Sequence, residues 1–151
     1  MKKLILVAAL FLPSAGAWAQ SAGQAGVGVN VGDPMGLTGK YWLDHTRAVD
    51  VGASFAGDLA LYGDFLWNAW DIFPQPKKGR LDAYVGLGPR LELTDDNDFG
   101  IRTVAGAAYW IENHPIEVYL EAGPVFQVIP NQRVDFDASL GVRFYFSAAN
   151  K

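Results

Sequence analysis

Val134-Asp135-Phe136-Asp137-Ala138-Ser139-Leu140-Gly141-Val142-Arg143-Phe144-Tyr145-Phe146 is the stretch whose reading decides the fold. Successive side chains of a strand point to opposite sides. One side here carries Val134, Phe136, Ala138, Leu140, Val142, Phe144 and Phe146; the other carries Asp135, Asp137, Ser139, Gly141, Arg143 and Tyr145. At about 13 residues, the segment exceeds the roughly 9–11 with which a tilted strand crosses a bilayer.

The same alternation recurs upstream. Apolar and small residues alternate over Gln24–Val31, Leu37–Leu43, Val49–Phe55 and Leu59–Trp67, and again over Leu81–Leu93, Ile101–Tyr109 and Ile116–Phe126. Turn-forming compositions separate these runs: Gly32–Gly36, Asp44–Thr46, Ala56–Asp58, Asp95–Asp98, Glu112–Pro115 and Pro130–Arg133. Only Asn68 to Arg80 is a long connection. Eight strands with short turns predict an all-β antiparallel meander. Strands five and seven also share a Tyr–Gly–Pro pattern, Tyr84 to Pro89 beside Tyr119 to Pro124, which predicts a repeated local bend.

The N-terminus bounds the compartment. Lys2-Lys3, the apolar Leu4–Leu12 and Ala17-Trp18-Ala19 read as a secretory signal peptide over residues 1–19, leaving 20–151 as one barrel domain. The chain has no cysteine, which excludes disulfides and thiolate metal sites. Its net charge of −4 argues against nucleic acid as a partner. Past the signal, no apolar run reaches the roughly 18 residues of a membrane helix.

Alternation alone fits a membrane barrel or a soluble, lipocalin-like one with the faces exchanged. Two features favour the membrane. The apolar face of strands three to eight carries no charge, whereas the other face mixes ions and tyrosines with Gly52, Gly86, Gly88, Gly106, Gly123 and Gly141. Glycine is a poor solvent-facing strand residue, but inside a narrow barrel it makes room for long side chains. Aromatics also gather at one end of the strands: Trp42, Trp67, Trp70, Tyr109, Trp110, Phe144, Tyr145 and Phe146. Trp and Tyr favour the membrane–water interface, so these predict a membrane-interface belt. A sparser ring, Phe55, Phe99, Phe126 and Phe136, marks the opposite ends.

On these residues the chain resembles the small OmpA/OmpX-type eight-stranded outer-membrane barrels over nearly its full length after the signal. Gly141 to Phe146 is similar to the C-terminal signal that the barrel-assembly machinery reads in such proteins, and Gly36 to Trp42 resembles uncharacterised small bacterial barrels. Here five residues, Ser147 to Lys151, follow the terminal aromatic. The resemblance implies a closed eight-stranded up-and-down transmembrane barrel, with outer-membrane lipids and the assembly machinery as partners and no cofactor.

Hairpin counting places Lys40, Asp50 and Asp64 in one inward row with Asp82 nearby, Lys40 serving the two facing acids. Glu117 should oppose Arg143. Arg90 and Arg102 should face each other, with Glu92, Glu121, Asp135 or Asp137 between them. The expectation is one interior salt-bridge network, because buried charges must be paired; an acid–base pair is the sharper alternative. His45 and His114 fall in turns, and Ser54 and Ser139 have no histidine near them, so no catalytic set is predicted. A non-enzymatic protein of envelope-structural or surface and lipid-interaction role is therefore expected. A narrow conduit, an envelope-lipid enzyme and a soluble carrier are the alternatives. The outer turns around Asp33, Gly57, Asp96 and Asn131 are too short for recognition. The Asn68–Arg80 connection, with Trp70, Phe73, Lys77, Lys78 and Arg80, is the expected site of periplasmic or lipid contact.

Overall fold

The computed structural model describes residues 23–55 and 57–146; the proposed signal peptide and the five residues after Phe146 lie outside them. The chain forms β1 (Ala25–Asp33), β2 (Gly36–Trp42), β3 (Arg47–Ser54), β4 (Leu59–Ala69), β5 (Arg80–Leu93), β6 (Asp98–Trp110), β7 (Ile116–Ile129) and β8 (Arg133–Phe146). Each strand pairs antiparallel with the next, and β8 pairs back onto β1 from Ala25↔Phe146 to Asp33↔Ala138. The result is a closed eight-stranded up-and-down barrel. Closure leaves no sheet edge to protect along the paired region. No helix among the described residues is long and apolar enough to cross a membrane, which has no bearing on strands.

Several strands run further than the side-chain alternation predicts. β1 continues through Gly32 and Asp33, β6 begins at Asp98, and β7 extends past Phe126 to Ile129. The ladder is built from backbone groups, so it persists where the apolar–polar rhythm fails. On the β6–β7 pair that failure has a local cause, a register shift between Phe99 and Gly100. Turn chemistry stops the strands elsewhere. Asn97 and Asn113 sit at φ of 50° and 63°, in the left-handed region that asparagine tolerates and β-branched residues avoid.

The faces divide cleanly. Val29, Val51, Val85, Leu120 and Leu140 project outward and are about half exposed, while Lys40, Asp50, Arg102, Glu117 and Arg143 are buried inside. The interior, not the outside, is the polar side of this molecule.

Candidate functional site

Among the described residues, ionisable side chains converge in the lumen and at its mouth. The width of the lumen is set by a repeated cross-strand pair. Tyr145 faces Gly26, Tyr62 faces Gly52, Tyr84 faces Gly106, and Tyr119 faces Gly141. A methyl group at any of these four glycines would come within 2.8 Å of the facing ring. Each tyrosine therefore lies flat over the neighbouring strand, leaving room along the axis for long charged chains.

Two arginines organise those charges. Arg143 on β8 rests 3.9 Å from the Tyr119 ring centre. It donates to Glu117 at 2.7 Å, Asp50 at 3.1 Å and Thr38 at 3.0 Å. Lys40 Nζ donates to the other Glu117 oxygen at 3.2 Å. Arg102 on β6 stacks 4.3 Å from the Tyr62 ring centre and pairs with Asp64, with Glu121 at 2.7 Å and with Asp137 at 3.1 Å. Arg90 approaches Asp137 from the far side at 2.6 Å, and the Tyr84 hydroxyl donates to Glu121 at 2.7 Å. Planar guanidinium with several acceptors and an aromatic face is the arrangement in which arginine is most effective as a buried cation.

The expected row is present as register, with Lys40 across from Asp50 and Asp50 across from Asp64. The ion pairs differ from the expected ones. Lys40 reaches over the lumen to Glu117, and the two acids go to Arg143 and Arg102 respectively. Asp82 takes neutral donors, Asn68 and, at 3.3 Å, Trp110. Glu117 does oppose Arg143. Arg90 and Arg102 do not face each other; their strand partners are Gly100 and Gly88, and Asp137 lies between their side chains. Glu92 and Asp135 stand outside this network. Both line a polar mouth of about 330 Å³ with Asp33, Asp58, Arg90 and Arg133, where Asp135 pairs with Arg133 at 3.0 Å.

The opposite end is closed by aromatic rings, which corrects the expected interface belt. Trp42 is 0% exposed and Trp110 5%, and both point into the barrel. Trp70, from the connection after β4, stacks on them. Ring centres lie 6.1 Å apart for Trp42–Trp70, 6.0 Å for Trp42–Trp110 and 6.3 Å for Trp70–Trp110, with Tyr145 4.8 Å from Trp110. The physical reason is parity: Trp42 shares its face with Thr38 and Lys40, and that face is the lumen. Trp70 is held by its Nε1 donating to His45 O at 2.8 Å and by the Arg80 guanidinium 4.1 Å over its ring. The connection is thus folded against the barrel, with Gln75 bonding the backbone of Trp70 and Leu81, and Trp70 is partly buried. Trp67 and Tyr109 do face outward, as do the half-buried Phe144 and Phe146.

No group of three or more His, Asp or Glu that could hold a metal ion occurs among the described residues. His45 and His114 lie in exposed turns, and Ser54 and Ser139 are buried on the lumen face, each away from either histidine. Among the described residues, the lumen gathers ion pairs and hydrogen bonds and places no histidine beside its buried serines.

No protein-family model matches the sequence, and no curated protein matches it. The fold is similar to the crystal structure of the N-terminal β-barrel domain of Pseudomonas aeruginosa OprF, with a TM-score of 0.60. The match covers 84% of this chain and all of that domain at 15% sequence identity, which establishes the likeness of fold. The two share the closed eight-stranded antiparallel barrel.

Proposed function

We propose that this chain is an integral outer-membrane barrel with a structural or lipid-contacting role in the envelope, rather than an enzyme, a wide pore or a soluble carrier. One observation carries the reading: between the strand ends the outer face carries no charge, while the buried ions lie inside. A soluble barrel has the reverse arrangement, and an exposed apolar surface encircling a molecule needs a partner of matching extent. The likeness to an OprF barrel domain supports the same compartment.

The lumen supports the non-conducting form of that reading. Arg143, Arg102 and their acids occupy its middle and four aromatic rings occupy one end, which supports a plugged lumen over an open path for solutes. A carrier of apolar ligands would need an apolar cavity where this barrel keeps ion pairs. The sequence features described above support an export route, assembly-machinery contact through β8 and an outer-membrane location.

Fractionation of the native host tests the proposal. The chain should remain in the outer-membrane fraction after alkaline carbonate and high-salt washes. Release into the soluble fraction would overturn it. Purified barrel in planar bilayers should give no stable large conductance, and steady large openings would sink the sealed-lumen part alone.

A further inference from the structure

The wall of the barrel is not equally tall all round. On β7 the outward apolar positions run from Ile116 to Val128, and on β8 from Val134 to Phe146. On β1 they run only from Ala25 to Val31, and on β3 from Val49 to the adjoining Phe55. At ~3.3 Å per residue and a tilt of about 40°, every two residues lift the band by roughly 5 Å. The band is then about 30 Å tall on β7 and β8 but about 15 Å on β1 and β3, and about 20 Å on β2 counting the exposed Met35 and Leu43 beside it, against the ~25 Å of an ordinary outer-membrane barrel.

Pairing fixes where the difference lies. Side chains from β2, β6 and β8 meet at the closed end, so the strands finish level there. At the mouth, β1 meets β8 only as far as Ala138, leaving Arg133 to Asp137 above the end of β1 with β7 as their strand partner. The tall flank is not a projection into water, because it is apolar to its tip: Val134 and Phe136 are 66% and 65% exposed. Nor can the short band be lengthened by sliding. The Asp44–Arg47 ion pair bounds it at the closed end, and the exposed Asp33 and Asp58 bound it at the mouth. Tilting the whole barrel moves both rims together and leaves the difference in wall height unchanged.

The short flank is also hollowed. Gly39 leaves an apolar depression of about 660 Å³ between Val29, Leu37, Val51 and Leu61. We infer that the barrel is a wedge that thins the bilayer along its β1–β3 flank, where lipid acyl chains fill this hollow. The inference rests on the membrane reading above. Bilayers deform to meet a short apolar belt at modest energetic expense, so the lipid rather than the protein yields.

The chain has no cysteine, so single probes can be placed. Phe55→Cys marks the outer end of the short flank and Phe136→Cys that of the tall one, each carrying an environment-sensitive fluorophore. Met35→Cys and Val128→Cys repeat the comparison should either fold poorly. The variants are inserted into vesicles of dimyristoleoyl- or dieicosenoyl-phosphatidylcholine. Both labels should report the headgroup interface in both lipids, with quenching by a headgroup-level quencher equal within about two-fold. A Phe55 label deep in hydrocarbon beside an interfacial Phe136 label would overturn the wedge, as would a Phe136 label in water. Efficient Val51→Cys cross-linking between two copies would also overturn it, by making a second copy the occupant. Vesicle flotation separates the two readings. A chain that fails to float removes the membrane proposal itself; one that floats with unequal labels removes only the wedge.

Discussion

Halfway along the barrel the lumen is filled by ions; at the closed end it is filled by indole rings. Both regions are buried, yet they hold together for different reasons. The middle depends on mutual satisfaction. Arg102 answers three carboxylates at once, and its loss would leave Asp64 with no cation and Glu121 with only the Tyr84 hydroxyl. The closed end depends on contact area: Trp42, Trp70, Trp110 and Tyr145 bury one another, and a lost ring leaves a hole its neighbours can partly fill. The ionic region should therefore be brittle, and the aromatic region more forgiving of substitution.

The largest effect should come from the ionic hub. Arg102→Met leaves Asp64 without its cation, Glu121 with only the Tyr84 hydroxyl and Asp137 with only Arg90, and should lower stability by roughly 3–5 kcal/mol in urea unfolding from lipid vesicles. A loss below about 1 kcal/mol would erase the contrast between the two regions. Next, Trp42→Ala should cost about 3 kcal/mol, the low end for a large aromatic, because Trp70 and Trp110 can close in. Trp67→Ala, an outward residue at the same end, should cost clearly less in the same assay. A third test sharpens the wiring. A double-mutant cycle of Lys40→Met with Glu117→Gln should give a coupling of about 1–3 kcal/mol, larger than that of Lys40→Met with Asp50→Asn. The reverse order would return Lys40 to the acids of its own row.

The smallest expected effect lies outside both regions. In the β2–β3 turn, Asp44 accepts the Thr46 and Arg47 backbone N–H groups at 2.8 and 2.7 Å and the Arg47 guanidinium as well. These bonds, the Thr46 one first, hold its carboxyl well below the usual carboxylate range. A group depressed on folding contributes above its unfolded range and loses that contribution as pH falls through its folded value. Proteolysis of this turn should therefore stay flat through mildly acidic pH and rise only in strong acid. Asp44→Asn should make it flat throughout.

How far the sequence foretold these regions depends on what each residue's position encodes. Inside and outside were legible, since a strict period of two fixes every strand side chain once one face is known. Trp42 carried that information too, sharing parity with Lys40, but its place at a strand end favoured an interface reading. Trp70 had no parity to read, because it lies beyond β4 in a connection whose path is set by tertiary contacts with His45 and Arg80. The pairing of Lys40 was hidden for another reason. Hairpin register reports neighbours along the sheet, whereas a lysine spans the lumen to a strand 77 residues away. Glu92 and Asp135 share the inward parity but sit above the level where the lumen closes, a height that alternation does not encode.

The tyrosine–glycine pairs have a consequence for assembly. Three of them join strands adjacent in sequence, β3 with β4, β5 with β6 and β7 with β8, and can form as each hairpin does. The fourth, Gly26 with Tyr145, joins the first strand to the last. The chain thus latches its ends with the device it uses to align its hairpins. A one-residue slip at that seam would set the Tyr145 ring against Ala25 or Val27, whose side chains leave it no bed. Closure in register is therefore favoured over a one-residue slip, because the final ring lies down over a glycine and not over Ala25 or Val27.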